Sequence, residues 1–343
     1  MSEVAQNIAG FSPHPWLRGA HMQSVLPSLP LRRPFVERRA RPLLEASREW
    51  LLDCGDGVRL QAFYASAPIS ARAAAPGSER LLVVLLHGWE GSARSLYVLS
   101  LAQTLHDAGY DVVRLNLRDH GDTHHLNRDL FHSCRLPEVQ GALRRVQHLL
   151  PGRKLALAGF SLGGNFMLRA AADAQIAELD VACAVGVSPV LDPATTLLAL
   201  ERGAALYRRY FVRKWTRSLR RKHALWPDVF DLDELVAARD LRSMTERLLL
   251  SQAGFDDVWA YFRGYAITGE RLAALRVPAT IVTALDDPII PAADLTRLAR
   301  PATLRIVTTA NGGHCGFFES PRRGGWIDRF VRAEFDAVRL SEA

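Results

Sequence analysis

Gly159-Phe160-Ser161-Leu162-Gly163 decides the fold, because of what stands on either side of it. Before it, Lys154-Leu155-Ala156-Leu157-Ala158 is an apolar run of strand length. After it, Gly164-Asn165-Phe166-Met167-Leu168-Arg169-Ala170-Ala171-Ala172 is rich in helix formers. A serine between two glycines where a strand turns into a helix has the arrangement of a nucleophile elbow. The turn is tight enough that residues two positions away on each side must be small, hence Gly159 and Gly163. It pushes the hydroxyl above the sheet edge, while the start of the next helix offers N–H groups to a developing negative charge. The motif alone is also compatible with a plain glycine-rich turn. The rest of the chain separates the two readings.

Strand and helix patterns alternate around the motif. Leu81–Leu86 is six consecutive apolar residues, the pattern of a strand buried on both faces. Residues 94–108 read as a helix ended by Gly109, Val112–Leu115 as a strand and Pro137–Leu150 as a helix. Val181–Val187, Ala279–Thr283 and Leu304–Val307 read as further strands, and Ile327–Val338 as a terminal helix. Such alternation predicts an α/β fold: a mostly parallel sheet covered by helices, with functional groups at the carboxyl ends of its strands. Ahead of it, Glu49–Leu52 and Val58–Tyr64 flank an Asp-Gly turn and predict a hairpin. Residues 1–47 read as a Pro- and Arg-rich arm with a helical stretch at Trp16–Gln23, and Ala65–Glu79 as a surface loop. The core is expected over 48–190 and 271–343. Between them, 191–270 shows no strand pattern but helical periods at 196–225, 232–251 and 255–266, which predicts a helical cap.

A hydroxyl is a poor nucleophile at neutral pH unless a base takes its proton and a carboxylate orients that base. On this kind of sheet the order is serine, acid, histidine. The strand at 279–283 runs into Asp286-Asp287-Pro288-Ile289-Ile290-Pro291, and the strand at 304–307 leads through Asn311-Gly312-Gly313 to His314. The candidate catalytic residues are therefore Ser161, Asp287 and His314. Asp286 competes for the acid role, its alternative being a loop hydrogen bond. Asp256 and Asp257 read as surface charges. An oxyanion hole is expected from the N–H of Leu162 and that of Trp89, in the His87-Gly88-Trp89-Glu90-Gly91-Ser92 loop after Leu81–Leu86. His87, His120, His124, His125 and His132 read as solvated loop residues. A metal cluster of His120, Asp122, His124 and His125 lacks paired ligand spacing, so neither metal nor cofactor is expected.

These stretches, with Asn116–Asp122, Phe131-His132-Ser133 and Gly312-Gly313-His314-Cys315-Gly316-Phe317, together resemble the AB-hydrolase-4 family and its YheT-like branch, from Pro15 to the end of the chain. That family is related to the ABHD1/2/3-type lipases and the yeast medium-chain acyl ethanol transferases. The resemblance implies an α/β-hydrolase fold, esterase or lipase activity on acyl esters, and Ser161, Asp287 and His314 as the triad. One departure is Asp119-His120-Gly121, where relatives often carry Gly-Cys-Gly or Gly-x-Gly. The expected activity is cleavage of short- to medium-chain esters through an acyl-enzyme. Transfer of the acyl group to an alcohol, or a non-catalytic binding role, are the alternatives.

Composition restricts the setting. The chain has 343 residues, 48% of them hydrophobic, and four scattered cysteines without Cys-x-x-Cys spacing. That argues against a zinc knuckle or disulfide framework and for a reduced, cytoplasmic environment. No apolar run suffices for a membrane span, and Met1–Gly10 does not read as a secretory signal. Of 43 Lys/Arg, eight fall within Tyr207–Lys222, leaving 35 against 36 Asp/Glu elsewhere. The basicity is thus local, and nucleic-acid binding is not expected. In this segment Tyr207, Phe211, Trp215 and Leu219 recur every four residues as one aromatic-aliphatic stripe, with the cations mostly on the other faces. It reads as a cap helix whose basic face is either solvated or meets anionic lipid. Tyr207, Phe211, Trp215, Leu219, Trp259, Tyr261 and Phe262 are candidates to roof a pocket above Ser161.

Overall fold

A computed structural model describes residues 6–7, 10–75, 77, 80–238, 240–252, 254–319 and 325–341. The strands are β1 (Gln6–Asn7), β2 (Ser47–Asp53), β3 (Arg59–Ala65), β4 (Leu81–Leu86), β5 (Asp111–Leu115), β6 (Lys154–Phe160), β7 (Val181–Val187), β8 (Ala279–Ala284) and β9 (Leu304–Thr309). They form one sheet in the order β1-β9-β8-β7-β6-β4-β5-β3-β2. Every pairing is parallel except β2 with β3 and β3 with β5.

The apolar run of β4 is buried at every residue, and its two faces feed two different cores. Leu81, Val83 and Leu85 pack on one side, Leu82, Val84 and Leu86 on the other, as alternation along a strand requires. The first side is covered by α2 (Arg33–Arg39), α3 (Arg41–Ala46), α5 (Leu96–Asp107) and α13 (Trp326–Ser341). The second is covered by α6 (Leu136–Leu149) and α7 (Leu162–Ala172). Two further short helices are α1 (Ala20–Val25) and α4 (Ile69–Ala74).

Between β7 and β8 run α8 (Pro193–Arg202), α9 (Ala205–Leu225), α10 (Leu232–Ala237), α11 (Leu241–Gln252) and α12 (Val258–Tyr265). The single helical period expected over 196–225 is thus two helices. The chain breaks at Gly203, which is extended (φ −75°, ψ −164°) and closes the last turn of α8. The period expected over 232–251 is likewise divided into α10 and α11.

Other expectations also need correction. The Ala-rich 65–79 stretch contains α4, consistent with the helix propensity of alanine; residues 76, 78 and 79 of that stretch lie outside the described residues, as do 1–5 and 8–9 of Met1–Gly10. The Trp16–Gln23 stretch divides into a 3₁₀ turn at Pro15–Leu17 and α1. Asp256 and Asp257 are exposed, as expected, and Asp257 is in addition an N-cap, its side chain accepting from the Ala260 N–H at 2.6 Å. Within α9, Tyr207, Trp215 and Leu219 are buried and Phe211 half-buried, but Lys222 is also fully buried rather than solvated. It pairs with Asp119 at 2.7 Å.

Candidate active site

Ser161 sits where β6 ends and α7 begins, with φ 52° and ψ −119°, a left-handed conformation unusual for a residue with a side chain. The turn closes because Gly159 and Gly163, two residues away on each side, lack side chains. A Cβ on Gly159 would lie 2.3 Å from the Gly163 backbone, and one on Gly163 would lie 2.3 Å from the His87 carbonyl oxygen. The Ser161 N–H donates to the Val187 carbonyl at 2.8 Å, which ties the elbow to β7.

His314 and Asp287 follow β9 and β8 and meet Ser161 above the sheet. His314 Nε2 lies 3.0 Å from Ser161 Oγ, and His314 Nδ1 lies 2.9 Å from Asp287 Oδ2. Asp287 has its other oxygen, Oδ1, held by the N–H groups of Ile289 at 2.8 Å and Ile290 at 3.0 Å. Burial alone would lower the basicity of His314, but the Asp287 carboxylate overrides it and raises the imidazole well above its ordinary value of 6.5. Asp286 instead accepts the Gly313 N–H at 2.9 Å and so braces the loop that carries His314.

The 87–92 loop passes directly over the elbow, since a Cβ on Gly88 would lie 3.2 Å from Ser161 Cβ. Among the described residues, the backbone N–H groups of Trp89 and Leu162 donate to no protein acceptor. His87 anchors this loop. Its Nε2 accepts the Leu117 N–H at 3.2 Å, so Nδ1 carries the proton and donates to the Gly88 carbonyl at 2.7 Å. Full burial keeps this imidazole neutral by lowering its pKa well below 6.5. The Tyr97 hydroxyl accepts the Gly88 N–H at 3.1 Å.

Sequence reasoning treated the loop histidines as solvated, yet His87, His120 and His124 are buried. Burial lowers His120 to about 4, and His124 to about 4 with help from Arg221. His124 Nε2 is paired with the Ser218 hydroxyl at 2.9 Å, and no described group of three His, Cys, Asp or Glu side chains is arranged to hold a metal ion.

The sequence also gave no sign of the role of α1. Ser24 Oγ accepts the His314 N–H at 2.8 Å. The buried Gln23 side chain donates to the Phe318 carbonyl at 2.8 Å and accepts the Phe318 N–H at 2.7 Å. A helix some 290 residues away therefore fixes both sides of the histidine loop.

Ser161 and His314 open into a cavity of about 490 Å³ between the sheet and the helices. Tyr207, Phe211, Trp215, Tyr261 and Phe262 line it, as expected. Trp259 and Leu219 do not: Trp259 is 48% exposed, and Leu219 is buried in the core beside Asp119, His120 and Phe131. Pro27, Leu29 and Arg33 of the arm supply wall that the sequence reading had not assigned.

A sheet of this order, a strained serine at a strand-to-helix elbow and a histidine–aspartate pair after later strands define the α/β-hydrolases. Residues 82–321 match the model of the α/β-hydrolase fold family, and the chain belongs to that family. The mouse phospholipase ABHD3 is 24% identical over 314 residues, covering 90% of this chain and 75% of the relative. The protein YheT of Escherichia coli strain K12 is 26% identical over 322 residues, 90% and 87% of the two chains. A yeast medium-chain fatty acid ethyl ester synthase/esterase is 23% identical over 283 residues, 74% of this chain and 61% of the relative. Among solved structures, a Pyrococcus furiosus esterase superimposes with a TM-score of 0.57 at 12% identity, covering 86% of this chain and 90% of that one. A bacterial membrane phospholipase A does so with 0.55 at 17%, covering 92% of each. Both show the same fold. Among the described residues no helix is long and apolar enough to cross a membrane.

Proposed function

We propose that the chain is a serine hydrolase of carboxylic esters, working through an acyl-enzyme. The observation that carries this reading is the unbroken relay from Ser161 through His314 to Asp287 at the floor of the cavity. In it, Ser161 Oγ attacks the ester carbonyl while His314 Nε2 takes its proton. His314 then returns that proton to the leaving alcohol. Asp287 holds the imidazole in the required tautomer and stabilises the imidazolium that forms. The carbonyl oxygen becomes an oxyanion between the N–H groups of Trp89 and Leu162. Water, activated by His314, releases the acid and restores the serine.

The helices α8–α12, assigned to a cap over 191–270, roof the cavity with aromatic and aliphatic groups. The cavity falls within the usual size of small-molecule sites, ~300–1,000 Å³. Its apolar walls favour an acyl chain, each buried methylene adding roughly 0.8 kcal/mol. The names of the relatives point the same way, to phospholipid and medium-chain ester substrates. A panel of p-nitrophenyl esters from acetyl to dodecanoyl tests this. kcat/KM should climb to a medium-chain optimum, and a flat or falling profile would contradict an acyl pocket.

A cavity with largely apolar walls also favours an alcohol over water as the acyl acceptor, and one relative is named as an ester synthase as well as an esterase. Adding ethanol to the panel separates the routes: transfer yields the ethyl ester at the expense of free acid, hydrolysis does not.

A further inference from the structure

We propose that Lys214 of α9 is a positioning residue for the oxyanion hole, so that the active loop keeps its shape only while the cap helix is seated on it. This rests on the hydrolase reading above and extends it to the coupling between cap and catalytic centre.

Lys214 Nζ donates to the Glu90 carbonyl at 2.8 Å. Glu90 immediately follows Trp89, and its backbone is left-handed at φ 56°, a conformation that a non-glycine residue keeps only when its surroundings hold it. The Gly91 N–H closes back onto the Gly88 carbonyl at 2.9 Å, so Gly88 to Gly91 form one tight turn over Ser161. Lys214 grips that turn from outside. Its helix neighbours grip the intervening side chain: the Trp89 ring stacks on Phe211 at 5.3 Å and 11°, and meets Trp215 edge-on at 5.3 Å. Residues 211, 214 and 215 lie on one face of a helix, so a single element makes all three contacts.

That helix is itself tied down at both ends. The Tyr207 hydroxyl is bonded to His21 Nδ1 at 2.9 Å, next to the α1 segment that braces His314. Lys222 is buried against Asp119 at 2.7 Å. Lifting α9 would therefore release the Glu90 carbonyl and the Trp89 ring together and leave the 88–91 turn without its outer support. Lys214 lines the same cavity as Ser161, and it supports the loop whose N–H faces the developing oxyanion. Its contribution should appear in the transition state rather than in substrate binding.

The test uses the full chain and a short, water-soluble p-nitrophenyl ester, with K214M, K214Q and K214R beside the wild type. A trifluoromethyl ketone serves as a mimic of the tetrahedral intermediate. Loss of a direct oxyanion donor costs about 10²–10³-fold in kcat, so loss of its support is expected to cost about tenfold. KM should stay within about twofold, and the Ki of the ketone should rise by the same factor as kcat falls. K214Q should behave as K214M, which removes any effect of an added apolar side chain, and K214R should recover most of the rate. Unchanged kcat and Ki in both uncharged variants, or a loss confined to KM, would overturn the proposal. Fluorophosphonate labelling separates the two readings. If the wild type is not labelled at Ser161, the hydrolase assignment fails; if it is, and K214M reacts equally fast, only the role of Lys214 fails.

Discussion

Ser24 accepts the backbone N–H of His314 at 2.8 Å, which makes an N-terminal helix part of the frame that holds the candidate base. Gln23, beside it, makes three hydrogen bonds from a side chain only 1% exposed, to the Leu17 carbonyl and to both backbone groups of Phe318. Gln23→Leu keeps much of the volume but strands buried partners, each costing roughly 1–3 kcal/mol. The variant should lose about 2–4 kcal/mol of stability by urea denaturation and lose activity below its melting point, because the histidine loop loosens first. A variant that melts early but retains full kcat would show that the arm stabilises the fold without positioning the base.

The two adjacent aspartates make different contacts, so their roles should be separable. Asp287→Asn removes the carboxylate that orients and charges His314 and should cost about 10³–10⁴-fold in kcat. Asp286→Asn leaves the relay intact and weakens only the brace on Gly313. The pH profile gives an independent reading. The reactive imidazole must be neutral, and Asp287 raises its pKa well above 6.5, so the acid limb of kcat/KM should lie above the ordinary imidazole value. In Asp287→Asn the largest raising influence is gone while burial and the smaller contribution of Cys315 remain, so the limb should move to lower pH. A limb that stays in place would mean that another group controls the titration.

Much of the site was legible in the sequence because it is built from local turns. The elbow needs two small residues at fixed distances from Ser161, and that requirement is written at Gly159 and Gly163. The candidate acid and base each follow a strand marked by its apolar run. What was not legible depends on contacts distant in sequence. His87 looks like any loop histidine until β4 and β5 lie side by side and bring Leu117 to its ring. Lys222 continues a basic run and is buried only because Asp119 meets it from a loop 103 residues away. The break at Gly203 interrupts a helical period that hydrophobic spacing alone continues, since the spacing reports the buried face and not the path of the backbone. The arm read as an appendage because nothing in residues 20–25 shows that Ser24 and Gln23 will meet the histidine loop.

The outer face of α9 presents Arg209, Arg213, Arg217 and Arg220, all exposed, within an arc of about 80° at 100° per residue. Tyr207, Trp215 and Leu219 are buried on the opposite side. Four cations near an anionic membrane surface contribute about 1 kcal/mol each. The protein should co-sediment with phosphatidylserine-containing vesicles at low salt and be released by moderate salt. Replacing all four arginines with glutamine should abolish sedimentation while leaving turnover of a soluble ester intact. Equal sedimentation of this variant and the wild type would make the face simply solvated.

The central claim is that Ser161 is the nucleophile, and mass mapping of a fluorophosphonate adduct tests it most directly. The wild type should carry one adduct, on the peptide containing Ser161, and lose ester turnover in proportion to labelling. Ser161→Ala should remain folded, carry no adduct and show no turnover above background. An adduct on another residue, or turnover that survives in folded Ser161→Ala, would contradict the account.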